Sequence, residues 1–189
     1  MKISYPLLCY YPSQAGGPAS TIYWLNKSMG IKGHKANIIS TTYGLKEKNI
    51  KHACIYKPYN IDAEFINSNF FSFLKPKRIN KLLSGDIIHF SSVFFAPTFL
   101  LLLLGLLSRK TILLSPRGEL YEAALLRRNF FKINYLKVIR LFQRKINFHA
   151  TNDYEKKLIS RHFPQAKGVF VLPNCIDVPE KYNCIKKKQ

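Results

Sequence analysis

The sequence predicts an α/β domain: a parallel sheet with helices on both faces. Three observations predict it. Short apolar runs alternate with longer stretches of helical period along the 189 residues. The short runs are apolar along their whole length, as in strands buried on both sides. Hydrophobic residues make up 47% of the chain and aromatic residues 14%, enough to fill a core and too much for a disordered chain.

The first run, Ile3–Tyr10, reads as a strand and not as a secretory leader. Pro6 interrupts it, and a leader needs a longer apolar core and a small-residue cleavage site. A Gly-Gly turn then opens a helix over Pro18–Lys32. Lys35–Thr41 reads as a strand and His52–Lys57 as a weaker one. Phe65–Leu83 carries a helical pattern interrupted at Pro76. Asp86–Phe90 is the next strand.

Val93–Leu107 is strongly apolar but only fifteen residues long, whereas a spanning helix needs roughly twenty. Proline suits a first helical turn, because its missing N–H would be unpaired there anyway. The expectation is therefore a buried helix beginning around Pro97. Thr111–Ser115 is a strand ended by Pro116. Leu120–Ile146 is helical in two pieces, Phe148–Thr151 a short strand, Asp153–His162 a helix and Gly168–Leu172 a last strand. Residues 1–178 form one domain on this reading. Residues 179–189 have no apolar period and form a basic tail.

The charge narrows the partners. Lys and Arg number 30 against 10 Asp and Glu, a formal net charge of +20. Such an excess favours an anionic partner: nucleic acid, a phosphorylated substrate or an anionic membrane face. The four cysteines, Cys9, Cys54, Cys175 and Cys184, include no CxxC pair. That spacing supports neither a zinc site nor a disulfide framework, and points to reduced thiols in the cytoplasm. No metal and no cofactor is expected.

Ligands of parallel α/β sheets bind outside the carboxyl ends of the strands, so the residues that follow each strand are the candidates. Gly16 and Gly17 follow the first. They would let a phosphate or sugar approach backbone amides at a helix start, or simply make a tight turn. Neither a GxGxxG fingerprint nor a P-loop is present. His89, Ser91 and Ser92 follow the strand at 86–90. Ser-Pro-Arg-Gly at 115–118 sets Arg117 between a strand end and the flexible Gly118, a place for a guanidinium that grips phosphate or carboxylate; the alternative is a solvated loop arginine. His149 is either catalytic or a buried, hydrogen-bonded histidine. Thr151, Asn152 and Asp153 suit helix capping. Asn174 and Asp177 follow the last strand.

The stretch 127–145 has seven positive residues, and no acid occurs between Glu122 and Asp153. A helical projection groups Phe131, Tyr135, Val138, Ile139, Phe142 and Ile146 on an inward face. Lys132, Lys137, Arg140 and Arg144 fall on the other side, with Ile133, Leu136 and Leu141 among them. That outer face suits the headgroup layer of an anionic membrane. A plain solvated face and nucleic acid are the alternatives.

Taken in order, GGPA (16–19), DIIHFSS (86–92), LSPRGEL (114–120), HATNDYE (149–155) and VLPNCID (171–177) resemble the N-terminal domain of family 4 glycosyltransferases. The resemblance implies a Rossmann-like domain, the N-terminal, acceptor-side half of a GT-B enzyme. It implies retaining hexosyl transfer from a nucleotide-sugar, a donor substrate and not a cofactor. Acceptors would be lipid-linked or polysaccharide, in lipopolysaccharide or other surface-polysaccharide synthesis, with the enzyme peripheral on the inner face of the cell membrane. Gly16, Gly17, Arg117 and Gly118 would bind donor phosphate or substrate. His89, Ser91, His149 and Asn174 would line a wide basic cleft. No catalytic residue is assigned.

The sequence departs from the family in two ways. Cys175 stands where the PN.ID motif usually has glycine, and no Glu pair at the family's E-x7-E spacing occurs. The expectation is that the donor-binding domain is absent here or supplied by a separate chain. Two other readings remain: a truncated, non-catalytic remnant that binds only acceptor or membrane, and a basic nucleic-acid-binding domain. Against the latter, no recognised reader motif is present, so nucleic acid is not the expected partner.

Overall fold

A computed structural model describes residues 1–13, 15, 17–45, 60–67, 69–126 and 129–174. The expectations for Gly16, His52–Lys57, Arg127, Arg128, Cys175, Asp177 and the 179–189 tail fall outside these residues.

The described elements are β1 (Lys2–Leu7), α1 (Gly17–Ile31), β2 (Lys35–Thr41), β3 (Ile61–Ile66), α2 (Phe70–Phe73), α3 (Pro76–Leu83), β4 (Ile87–Phe90), α4 (Thr98–Leu107), β5 (Thr111–Leu114), α5 (Glu122–Leu126), α6 (Asn129–Arg140), a 3-10 turn (Gln143–Lys145), β6 (Ile146–Ala150), α7 (Asp153–His162) and β7 (Gly168–Val171). The strands form one sheet in the order β3-β2-β1-β4-β5-β6-β7. Every pairing is parallel. This is the expected Rossmann-like α/β fold.

Successive strand residues point to opposite faces, and β2 shows the result. Ile38 joins a core with Ile3, Tyr5 and Ile22, under α1. Ile39 joins the larger core on the other face, with Leu82, Leu101, Leu102, Ile139 and Ile159 from α3, α4, α6 and α7. The Leu-rich helix α4 begins directly after Pro97, as expected. A Cβ at its Gly105 would stand 2.8 Å from Ile112 Cδ1 and 2.9 Å from Ile88 Cδ1, so the missing side chain is what lets α4 sit close on the sheet. Among the described residues no helix is long and apolar enough to cross a membrane.

Three expectations need correction. The first strand ends at Leu7, before Tyr10. Phe65 and Ile66 close an edge strand, β3, and do not begin a helix. In β3, Asp62 and Glu64 alternate with apolar residues. Their carboxylates meet Lys81 and Arg78 of α3 at 3.0 and 2.7 Å, a neutralisation that exists only after folding. Ile146 opens β6 and does not end a helix.

The projection of the basic helix also changes. Leu136 is buried, whereas Phe131 and Val138 face solvent. Lys132 turns inward: its ammonium donates to the Ala124 carbonyl and lies 5.0 Å from the centre of the Phe94 ring. A long lysine stem lies readily along apolar surface, which a projection by residue type does not anticipate.

Candidate functional site

From β1 the chain leads to β2 on one side; from its neighbour β4 it leads to β5 on the other. Ligands of open parallel sheets bind beyond the strand ends at such a reversal. A cavity of about 150 Å³ lies there, lined by Cys9 and Pro18 after β1, Ser91 and Ser92 after β4, and Arg117 and Glu119 after β5. Among the described residues its charged lining is one guanidinium and one carboxylate.

The turn after β5 is built around Arg117. Its φ is 49° and that of Gly118 is 84°. The left-handed region costs a residue with a Cβ on the order of 1–2 kcal/mol, and two carboxylates hold the turn in it. Glu155, fully buried in α7, accepts the Gly118 amide at 2.6 Å. Its other oxygen accepts the Thr151 amide at 2.7 Å and the Thr151 hydroxyl at 2.8 Å. Asn152 caps the same helix by accepting the Glu155 amide at 2.8 Å. Glu119 accepts the Ser92 hydroxyl at 2.6 Å and the amides of Val93 and Phe94, which ties the turn to the loop after β4. Burial raises the Glu119 carboxyl pKa, and these donors oppose the shift. So held, Arg117 donates from Nη1 to Asn174 Oδ1 at 3.0 Å.

Beneath the turn, polar side chains cross the sheet. His89 Nε2 lies 2.7 Å from Ser115 Oγ, Ser115 Oγ lies 2.8 Å from His149 Nδ1, and His149 Nε2 lies 2.8 Å from the Leu172 carbonyl. A carbonyl only accepts, so His149 Nε2 carries a proton. Nδ1 of the neutral ring then accepts from Ser115, and Ser115 accepts from His89 Nε2–H. Burial lowers the pKa of both histidines and the nearby Arg117 charge lowers them further, while at His149 the Leu172 carbonyl and the Glu155 charge partly oppose the shift. Both rings are thus held neutral, as this chain of donors requires.

The structure brings Ser91 and Arg117 together at the cavity, with Asn174 bound to the arginine. Gly118 supports the turn, and His89 and His149 lie below it. Gly17 is the first residue of α1, and a Cβ there would meet nothing within 4 Å. Lys137 and Arg140 of α6 and Arg144 of the 3-10 turn are exposed and are not among the residues that line the cavity. The residues that sequence reasoning missed are Ser115, Glu119 and Glu155. The signal for the two acids was their scarcity: each is an acid beside a motif in a chain with only 10. Among the described residues no group of three His, Cys, Asp or Glu side chains could hold a metal ion.

No family model matches the sequence, and a search of curated proteins found no match. Solved structures do share the fold. The Anabaena protein Alr3699/HepE, crystallised with UDP and glucose, superposes with a TM-score of 0.59 at 16% identity, over 94% of this chain and 45% of its own. A glycosyltransferase from Rickettsia africae superposes at 0.50, with 17% identity, over 90% and 42%. Arabidopsis thaliana UGT89C1, complexed with UDP-L-rhamnose, superposes at 0.51, with 10% identity, over 93% and 53%. The chain therefore spans about half the length of these structures, and what it shares with them is the Rossmann-like α/β fold.

Proposed function

We propose that this chain is the acceptor-side half of a glycosyltransferase of the family 4 type, which transfers a hexose with retention from a nucleotide-sugar to a lipid-linked or polysaccharide acceptor in surface-polysaccharide synthesis. The observation that carries the reading is the position of Arg117: at the strand-order reversal, in a left-handed turn held by Glu155, beside the cavity. Two of the fold's relatives were crystallised with UDP or a UDP-sugar, which supports a nucleotide-sugar donor.

On this reading the Arg117 guanidinium binds a phosphate or carboxylate of the substrate, and the first amides of α1, from Gly17, face the same negative charge. Ser91, which lines the cavity, offers its hydroxyl to the acceptor, whereas Ser92 is committed to Glu119. The net charge of +20 supports a peripheral position on the inner face of an anionic membrane.

Amide shift mapping by NMR with UDP as the probe tests the site. The proposal expects saturable shifts at Gly17, Arg117, Gly118 and Ser91. Saturable shifts elsewhere, with these residues unmoved, would overturn it.

A further inference from the structure

The outer face of α6 is apolar and cationic at once. Phe130, Phe131 and Leu141, just past the helix, are 74%, 75% and 79% exposed, and Ile133 and Val138 also reach solvent. Lys137 and Arg140 lie between them. A solvated face would carry polar residues of both signs at these positions. At the helix end, Lys137, Arg140, Arg144, Gln143 and Gln165 border an open groove of about 430 Å³, and Leu141 belongs to both groove and apolar face. Arg144 Nε donates to Gln165 Oε1 at 3.1 Å, which fixes one wall.

We propose that this face, from Phe130 to Arg144, docks flat on a bilayer rich in anionic phospholipid, the groove taking a phosphate headgroup and the phenylalanines entering the acyl boundary. The inference rests on the membrane-peripheral reading above and names its surface. Charge complementarity selects the occupant, because no acid lies between Glu122 and Asp153 and the groove is bordered by three cations. A second copy of this chain would bring like charges together. Apolar and basic residues interleave along one helix, as an interfacial helix needs to place both at the headgroup boundary. The helix, about 18 Å long, lies on the surface and does not cross. Its Phe130 end stands on the carboxyl side of the sheet, since Lys132 reaches the Phe94 ring just beyond β4. Docking would therefore hold the cavity side of the domain near the bilayer.

Flotation with phosphatidylcholine vesicles, with and without phosphatidylglycerol, tests the proposal. Wild type should bind the anionic vesicles strongly and the neutral ones only weakly, and should keep part of the binding at about 1 M salt, where charge attraction is screened within a few ångströms. Lys137→Glu with Arg140→Glu should weaken binding at low salt at least about tenfold. Phe130→Ser with Phe131→Ser should abolish the salt-resistant part. All four side chains are exposed, and circular dichroism checks that the fold is kept. If wild type binds anionic vesicles but neither pair matters, this surface is wrong while the membrane reading stands. If wild type ignores anionic vesicles, both fall. An oligomer dispersed by the phenylalanine pair, without vesicle binding, would assign the face to self-association and overturn the proposal.

Discussion

Oε1 of Glu155 accepts the backbone N–H of Gly118 at 2.6 Å, tying the first turn of α7 to a loop 37 residues earlier in the chain. With Thr151 supplying an amide and a hydroxyl to the other oxygen, three donors converge on one buried carboxylate. Glu155→Gln places an amide NH2 against at least one of them. Leaving a buried donor unmet costs about 1–3 kcal/mol. We expect the urea midpoint to fall accordingly. An unchanged midpoint would show that the turn does not depend on this carboxylate.

The histidine chain predicts a pH dependence. Both rings titrate below the ordinary histidine value of about 6.5 when folded. Below that pH the unfolded chain takes up more protons than the folded one, so stability declines as pH falls. Glu119 acts oppositely and lower. Its raised carboxyl pKa lets the folded state gain protons first near the carboxylate range. Between about pH 7.5 and about pH 6 the histidines dominate. His89→Gln keeps a donor toward Ser115 and removes one titration, so it should flatten the slope in urea unfolding over that range. An unchanged slope would exclude His89 as a contributor.

Gly85 marks a close contact. A Cβ there would stand 2.4 Å from Ser4 Oγ and 3.1 Å from the Ile87 carbonyl. Gly85→Ala should destabilise by about 1–3 kcal/mol, the usual range for overpacking. The Ser4 hydroxyl is buried, with no hydrogen-bond partner among the described residues. Removing it costs little, and Ser4→Ala should recover part of the Gly85→Ala loss. Strictly additive denaturation energies in the double variant would rule out this contact as the cause.

Arg117 separates charge from geometry. If its guanidinium reads an anion in two-point fashion, Arg117→Lys should lose nearly as much affinity for UDP as Arg117→Ala, about 1.5–3 kcal/mol for a charged hydrogen bond. Calorimetric or NMR titration measures it. Full affinity in the lysine variant would reduce the residue to a simple positive charge.

What could be read along the chain differs from what had to be assembled. The bounds of β2 and α7 follow from local signals: the apolar run KANIIST, and Asn152 with Asp153 and Glu155 in the first turn. The positions of Arg117 and Asn174 near the strand ends follow from element order alone. β3 was hidden, because IDAEFI carries two acids whose partners Arg78 and Lys81 lie on another element. The His89–Ser115–His149 chain was hidden for a similar reason. Each member is an ordinary residue at the end of its own strand, and only the pairing of β4, β5 and β6 brings them within reach. The facing of α6 was misjudged where inward and outward residues have the same chemistry: Phe131 and Leu136 are both apolar, yet Leu136 joins the larger core and Phe131 is left in solvent.

The direction of that side-chain hydrogen-bond chain has a consequence for assembly. One backbone oxygen, that of Leu172 just past the outermost strand, decides where protons sit as far inward as His89. Were β7 to pair with β6 one residue out of step, His149 would lose its acceptor, Ser115 would lose its orientation, and the centre of the sheet would hold unmatched polar groups. A misalignment at the rim is thereby penalised in the interior, so the buried polar chain discriminates correct from slipped strand pairing at the edge laid down last along the described chain.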